Sequence, residues 1–299
     1  MELWIPLTIG AAFFQNIRSA LQKHLCSDLS TLGASYVRFA FALPVALIYL
    51  LGLHLYGEQE TGVFSTAFLF YCLLGGICQI LFTVLLLWLF TLRNFAVGTT
   101  FSKLETLMVA IFGLLLLDDA LTLQLLAAIF VGAIGLFVLS VGQSKLTASG
   151  LLAGLGHKST LIGLGCAASL GLSVVLFRAA SLSLQLDSFL LAASYTLVIV
   201  LLIQTLIMGA YLRLTDKTEF DRVLSRWRSA SLVGLSGGLA SIGWFSAFTL
   251  QNAAYVRALG QIELVFTFAV TLFIFREKVS RVELAGIGLI TSSITLLLL

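Results

Sequence analysis

Two glutamates lie inside apolar runs, one in each half of the chain and in similar surroundings. Glu105 belongs to the run Phe101–Leu107, and Glu263 belongs to the run Leu259–Val265. An ionisable side chain at membrane depth costs several kcal/mol unless it faces protein or water, so a repeated one indicates a solute pathway. Such carboxyl groups could take part in proton coupling, or they could serve only to bond neighbouring helices together.

Polar residues beside the two glutamates give each run a different chemistry. Ser102 falls on the helix face that carries Glu105. Lys103 is roughly 200° away from Glu105 at about 100° per residue, so it needs another partner or an anionic group of a substrate. In the second run Gln261 takes the place of the lysine. One wall would offer an ammonium and a carboxylate and the other an amide and a carboxylate, which suits a zwitterionic or mixed-polarity metabolite better than a lipid.

Six further residues are candidates for contact with a solute: Asn16, Arg18, Tyr36, Arg38, Tyr195 and Trp244. The two arginines favour a carboxylate or phosphate on the cargo if they face the cavity. Arg18 could instead extend toward the membrane interface near Lys23, as long basic side chains do. The aromatic rings could stack on a ligand, although aromatic residues in membrane helices more often pack or lie at the interface.

The composition places these residues in a membrane. Of the 299 residues 60% are hydrophobic and 10% are charged, and the mean hydropathy is +1.08, which is far outside the balance of a typical soluble domain. Apolar runs with only two prolines predict an all-α, polytopic membrane protein rather than a barrel. The first run lacks the features of a cleaved signal peptide and is expected to stay as a helix. Ten transmembrane helices are predicted near residues 3–23, 31–53, 64–91, 95–117, 120–141, 159–180, 188–212, 229–250, 255–275 and 281–298.

The chain shows an internal duplication. One offset of 158 residues relates Glu105 to Glu263 and Asn94 to Asn252. We therefore predict two five-helix units, residues 1–141 and 159–299, joined by a loop at 142–158. Because five crossings are an odd number, the second unit enters the membrane from the opposite side, which gives an inverted repeat suited to alternating access. The alternative is a duplication kept only for stability.

The second half carries three motifs in order: Gly260–Glu263, Phe275–Lys278 and Glu283–Gly288. Together with the matching features of the first half, this pattern resembles the paired EamA-type domains of the drug/metabolite transporter superfamily over nearly the whole chain. The resemblance implies a secondary carrier for small organic metabolites, often an exporter, with a central cavity between the repeats. It also implies cytoplasmic termini.

In that family the fourth helix of each repeat commonly carries a glutamate followed by proline, and an acidic residue closes the helix. The matching residues here are Glu105 and Glu263 for the first feature and Asp119 and Glu277 for the second. The prolines are absent, because Thr106 and Leu264 stand in their places. The helix kink that these prolines impart in relatives therefore has no basis in this sequence.

Basic residues concentrate in the joints that follow odd-numbered helices: Lys23, Arg93, Lys145, Lys158, Arg213, Lys217, Arg222, Arg226, Arg228, Arg276, Lys278 and Arg281. Joints after even-numbered helices carry little beyond Arg178 and Arg257. Because Lys and Arg accumulate in cytoplasmic joints, this asymmetry predicts that both termini lie outside. This prediction conflicts with the cytoplasmic termini that the resemblance implies, and the charge count is preferred here.

The sequence also argues against several other classes of protein. The four cysteines lie in or beside apolar segments without metal-ligand spacing. The GxSG sequence at Gly234–Gly237 has no base nearby in the sequence for a nucleophilic serine. The charges form no basic patch for nucleic acid. We therefore expect no enzyme activity, no metal site and no cofactor.

These observations predict a secondary active transporter that moves a small polar or zwitterionic, amino-acid-like metabolite by alternating access, with proton coupling and export as options. The alternative is a channel or passive pore for small solutes. The expected partners are a small-molecule metabolite and the lipid bilayer, with no nucleic acid. The protein is expected to be a monomer or homodimer in a bacterial cytoplasmic (inner) membrane.

Overall fold

The computed structural model describes residues 2–56, 62, 64–90, 101–144, 158–273 and 280–299. All regular secondary structure in these ranges is helical. The helices are α1 (Trp4–Leu25), α2 (Thr31–Ala40), α3 (Ala42–Leu55), α4 (Thr66–Phe90), α5 (Glu105–Leu117), α6 (Leu123–Ser144), α7 (Lys158–Ser183), α8 (Phe189–Thr215), α9 (Lys217–Ser225), α10 (Trp227–Leu250), α11 (Ala253–Gly260), α12 (Ile262–Phe273) and α13 (Arg281–Leu298).

Seven helical stretches in the described part of the chain are long and apolar enough to cross a membrane: Thr31–Leu55, Thr66–Leu86, Leu123–Gly142, Lys158–Ser183, Phe189–Thr215, Trp227–Leu250 and Arg281–Leu298. The prediction of an all-helical, multi-pass membrane protein is therefore confirmed. Helix α1 has the length of a span, but Gln15, Asn16 and Arg18 lower its hydropathy and it is not among the seven. The count of ten and the inverted repeat stay predictions.

The structure divides two of the predicted helices at corresponding places. In the predicted helix 95–117, of which residues 95–100 lie outside the described part, a turn at 103–104 precedes α5. The predicted helix 255–275 divides at Gln261 into α11 and α12. The offset of 158 residues that relates Glu105 to Glu263 also relates these two breaks. Each glutamate therefore lies in the first turn of a helix rather than in the middle of one.

Each break is a tightened turn. The N–H of Leu104 donates to the carbonyl of Phe101 at 3.1 Å, and the N–H of Gln261 donates to the carbonyl of Ala258 at 3.3 Å. These bonds reach three residues back instead of four. The first N–H groups of α5 and α12 are thus left without helical partners, as at any helix start. Neither break contains a proline.

A short helix lies inside the segment 213–228, which the sequence presents as a basic joint. Helix α9 occupies residues Lys217–Ser225 of this segment. Asp216 caps α9, because its side chain accepts a hydrogen bond from the N–H of Glu219 at 2.9 Å. The segment is therefore largely helical rather than irregular.

One compact unit, called unit 1, comprises residues 1–77 and 176–251. In it α10 packs closely on α1 and on the junction of α2 and α3. A Cβ added to Gly243 would lie 2.9 Å from the Cβ of Ala11, and one added to Gly234 would lie 2.5 Å from the carbonyl carbon of Phe41. Small residues at such positions let membrane helices approach backbone to backbone.

The second compact unit, unit 2, comprises residues 78–175 and 252–299. Helices α6 and α13 pack closely in it, because a Cβ on Gly286 would lie 2.7 Å from the backbone nitrogen of Leu139. Ser293 reinforces this contact by donating to the carbonyl of Ala128 at 2.7 Å. Each unit takes helices from both predicted halves of the chain. The predicted repeat boundaries at 1–141 and 159–299 stay a prediction, and residues 145–157 of the predicted loop 142–158 lie outside the described residues.

Candidate substrate-binding site

A small charged cavity lies within unit 2, at the two helix breaks. It is lined by Lys103, Glu105, Thr106, Leu136, Arg257, Gly260, Gln261, Glu263 and Leu264. About 20 Å³ of it is open to the centre of a water molecule, which is room for about one water. The cavity is therefore small, partly open and lined by both charged and apolar side chains, and a metabolite cannot enter it without movement of its walls.

Glu105 forms an ion pair with Arg257 across the cavity wall. The exposed fractions of the two side chains are 13% and 11%, so both charges are largely removed from solvent. Glu105 comes from the start of α5 and Arg257 from the middle of α11. A buried charge is tolerated only when it is paired and hydrogen-bonded, so each of these two residues depends on the other.

Glu263 faces Lys103 in a second, looser ion pair. The distance from Lys103 Nζ to Glu263 Oε1 is 3.8 Å, and the exposed fractions are 45% and 20%. The two pairs are crossed between the predicted halves, because each half contributes one cation and one carboxylate. The four formal charges sum to zero.

The position of both glutamates suits their charge. Glu105 and Glu263 lie in the first turns of α5 and α12, where the unpaired N–H groups create a positive potential that stabilises a carboxylate. The helix breaks thus place two carboxylates, two helix starts and two basic side chains around one small volume. Discontinuous helices of this kind form ion and substrate sites in membrane carriers.

Gln261 lies at the break between α11 and α12 and contributes an unsatisfied acceptor to the cavity wall. Its Oε1 is buried and has no hydrogen-bond partner among the described residues. The amide packs against Gly132 of α6, where an added Cβ would lie 2.9 Å from Oε1 and 3.1 Å from Nε2. A ligand N–H or O–H group could donate to this oxygen.

The structure therefore brings together four of the residues that the sequence singled out: Lys103, Glu105, Gln261 and Glu263. Ser102 is buried in the helical residues just before the first break and does not line the cavity. The other six candidates belong to unit 1, and each has its own contacts there.

Two of these six, Arg18 and Trp244, lie where α1 meets α10, and Asn16 lies in α1 close to Arg18 in the sequence. Arg18 is only 9% exposed, and its aliphatic chain packs on Gly237. Trp244 Nε1 donates to Gln15 Oε1 at 3.0 Å. Asn16 Nδ2 donates to the carbonyl of Ala12 at 3.2 Å, within its own helix.

The remaining three also have packing partners. The Arg38 guanidinium lies 5.4 Å from the centre of the Phe39 ring, in a cation–π contact. Tyr36 is buried against Gly209 of α8. The Tyr195 hydroxyl lies 2.9 Å from His54 Nε2, in a hydrogen bond whose direction depends on the histidine tautomer.

Arg257 is the site residue that sequence reasoning missed. It was counted among the joints, together with Arg178, whereas both lie inside helices. Arg178 donates to the carbonyls of Phe248 and Gln251 and so satisfies the C-terminal end of α10. The available signal for Arg257 was its place in an apolar run, six residues before Glu263, where an intramembrane cation demands a carboxylate partner.

The charged side chains of the site are arranged for charge complementarity. In the described ranges no group of three or more His, Cys, Asp or Glu side chains could hold a metal. Ser236 of the GxSG sequence donates to the carbonyls of Leu232 and Val233 in its own helix. Each side chain of the two ion pairs can bind a ligand group of opposite charge in place of its present partner.

Comparison with known proteins is consistent with this chemistry. Residues 2–141 match the model of the EamA-like transporter family. No curated protein matches the chain. One solved crystal structure, described only as that of a protein, aligns with a TM-score of 0.71 and 13% identity over 98% of this chain and 95% of its own, a likeness that shows the fold alone. The family match covers just under half of the chain, and together with the seven apolar helices it supports an integral multi-pass membrane protein that resembles this transporter family.

Proposed function

We propose that this protein is a secondary active transporter that moves a small polar or zwitterionic, amino-acid-like metabolite by alternating access. The observation that carries the proposal is the pair of crossed ion pairs, Glu105 with Arg257 and Glu263 with Lys103, at two breaks in apolar helices. Intramembrane charges are expensive to maintain and mark solute pathways.

The balance of charge favours a cargo that carries both signs. A zwitterion could give its carboxylate to Arg257 or Lys103 and its ammonium to Glu105 or Glu263, so that no buried charge is left unpaired. A cargo with one charge would compensate only half of the site. The small volume supports alternating access, because the walls must separate to admit a metabolite and close again behind it.

Proton coupling and export belong to the same proposal. Protonation of Glu105 or Glu263 would release its basic partner and change the preference of the site for a carboxylate.

The distribution of basic residues bears on the orientation of the chain in the membrane. With Arg178 and Arg257 inside helices, the joints after even-numbered predicted helices contain no Lys or Arg. This supports cytoplasmic placement of the basic joints and termini on the outer side.

Counterflow in proteoliposomes tests the proposal. Vesicles loaded with a mixture of unlabelled amino acids should accumulate a labelled amino acid transiently, and the rate should saturate with its concentration. A channel or passive pore would equilibrate the label without overshoot or saturation. The assay is then repeated with labelled zwitterionic, anionic and cationic metabolites. If none of them accumulates transiently above its equilibrium level, the carrier proposal is overturned.

The Gly132→Ala variant should weaken transport without unfolding the protein. The added Cβ would press on Ser293 Oγ and on the end of the flexible Gln261 side chain, each at 2.9 Å, and both can shift at a cost of about 1 kcal/mol, with Gln261 moving into the cavity. We expect a KM for counterflow raised by about tenfold, since this cost and the lost space act directly on the bound cargo. Gly288→Ala is the control, because nothing lies within 4 Å of that Cβ. An unchanged KM in the Gly132 variant would remove Gln261 from the site.

Thiol labelling should settle the orientation of the chain. Cys26, between α1 and α2, is exposed, whereas Cys72, Cys78 and Cys166 are buried. A membrane-impermeant maleimide is expected to label Cys26 in inverted vesicles and not in intact cells, with Cys26→Ser as the control. Partial burial raises the pKa of the Cys26 thiol, so the thiolate fraction and the labelling rate should still increase from pH 7 to pH 9. Labelling in intact cells would place the termini inside.

A further inference from the structure

The start of α2 carries half of a capping box. The side chain of Ser30 accepts a hydrogen bond from the N–H of Gly33 at 3.1 Å. In a complete box, a Glu or Gln at that third helical position accepts in return from the backbone N–H of the capping residue. Gly33 has no side chain to do so.

Glu219 of α9 supplies the missing half from a distant part of unit 1. The N–H of Ser30 donates to Glu219 Oε1 at 2.5 Å. The carboxylate lies over Gly33, where a Cβ would overlap Oε1. Arg222 Nη1 donates to the other oxygen, Oε2, at 2.7 Å. Glu219 is only 2% exposed, so these partners replace water around a buried charge.

Helix α13 shows the local form of the same motif. There Ser280 accepts from the N–H of Glu283 at 3.2 Å, and Glu283 accepts from the N–H of Ser280 at 2.7 Å. Helix α9 has the same spacing, with Asp216 as its cap and Glu219 in the third position. Its glutamate, however, turns to another helix.

The reason lies in the chain before α9. The N–H of Asp216 already donates to the carbonyl of Leu212 at the end of α8, at 2.8 Å. The N–H that Glu219 would accept from in a local capping box is therefore already engaged, and the carboxylate is available for α2. Two further contacts join these segments: a solvent-exposed ion pair from Arg226 to Asp28 at 3.4 Å, which contributes little, and the rings of Tyr36 and Phe220, whose centres lie 5.9 Å apart.

We propose that Glu219 is a conformational latch. Helix α9 holds the α1–α2 joint through a capping box completed from a distant segment, and release of this one carboxylate frees the start of α2 when unit 1 changes conformation. Seated on α2, the carboxylate has both Ser30 and Arg222 as partners; away from α2 it would keep Arg222, which is half exposed, and would replace Ser30 with water. The role in transport rests on the proposed function, whereas the latch itself is tested without it.

Hydrogen exchange on the purified full-length protein measures the latch. In Glu219→Ala, amide exchange is expected to rise by about tenfold or more at the start of α2 and across α9, because a hydrogen bond to a charged group is lost. Exchange in α6 and α13 should stay unchanged. The matched control is Glu283→Ala, which removes the same kind of cap from α13 and should affect only that helix.

A double variant separates a latch from a simple cap. In Gly33→Glu/Glu219→Ala the new glutamate can complete the box of α2 locally, so protection of α2 should return while α9 stays open. Unchanged exchange at α2 or α9 in Glu219→Ala, or a return of α9 protection in the double variant, would overturn the latch. A uniform rise over the whole chain would also overturn it, because it would indicate general destabilisation.

Counterflow of the two variants then tests the role in transport. If α9 acts as a latch, the double variant keeps the altered rate of Glu219→Ala although its α2 is capped. Recovery of the wild-type rate would show that Glu219 serves only as a cap and would overturn the proposed role. If the unmodified protein transports nothing, the proposed function fails, and the exchange experiment still decides the latch.

Discussion

Glutamine in place of Glu105 is expected to abolish transport and to lower the free energy of unfolding by about 3 kcal/mol. The change leaves the guanidinium of Arg257 buried beside a neutral amide, although this side chain is only 11% exposed. Breaking a buried ion pair from one side is costly because the remaining charge loses its compensation and does not regain water. Thermal and chemical unfolding in detergent measure the first effect, and counterflow measures the second.

Two companion variants make this prediction specific. Glu105→Gln/Arg257→Gln removes both charges and is expected to recover most of the lost stability, but not transport, since the cargo then loses two of its partners. Glu263→Gln should cost less than Glu105→Gln, because the partner Lys103 is 3.8 Å away and nearly half exposed, although Glu263 also acts on the buried charge of Arg257. If the two single glutamine variants are equally stable, or if the double variant is less stable than Glu105→Gln, the buried pair does not have the role assigned to it.

The ends of several helices could be predicted because local rules set them. The predicted helix 281–298 matches α13, whose start has a complete capping box of Ser280 and Glu283. The predicted helix 188–212 matches most of α8, which begins after the capping residue Ser188. Both starts carry side chains that accept from the first free N–H groups, and this signal is visible in the sequence.

The helix breaks could not be predicted, because tertiary contacts stabilise them. The absence of proline after Glu105 and Glu263 favoured continuous helices, yet both helices start anew at these places. Each break leaves N–H groups free at a helix start within an apolar stretch of the chain, and the paired carboxylates and cations around the cavity offset their cost. That compensation depends on residues such as Arg257, which are far away in the sequence and are invisible to a local reading.

Half of the site could be recognised from repetition and half could not. The offset of 158 residues drew attention to Glu105 and Glu263, and the helical angle showed that Lys103 does not pair with Glu105. Arg257 has no basic counterpart at that offset, since Thr99 occupies the equivalent position. A search by internal symmetry therefore overlooks a residue whose function depends on the two halves being different.

Alanine in place of Gly234 is expected to cost about 3 kcal/mol or more, and the variant should express poorly or elute as aggregate. The added Cβ would overlap the carbonyl oxygen of Phe41 and lie 2.5 Å from its carbonyl carbon. Phe41 joins α2 to α3, so the clash is with backbone atoms that no rotamer change can relieve. Size-exclusion chromatography and thermal unfolding in detergent measure the effect.

Gly52→Ala is the matched control in the same unit. Gly52 lies within α3, and nothing occupies the space within 4 Å of its added Cβ. Alanine there should be neutral or stabilise the helix by up to about 1 kcal/mol, because it favours helical backbone over the unfolded chain. Loss of stability in the Gly234 variant alone would show that α10 meets the α2–α3 junction backbone to backbone. Equal stability of both variants would contradict that contact, and the packing reason for a GxSG sequence without catalytic partners would be lost with it.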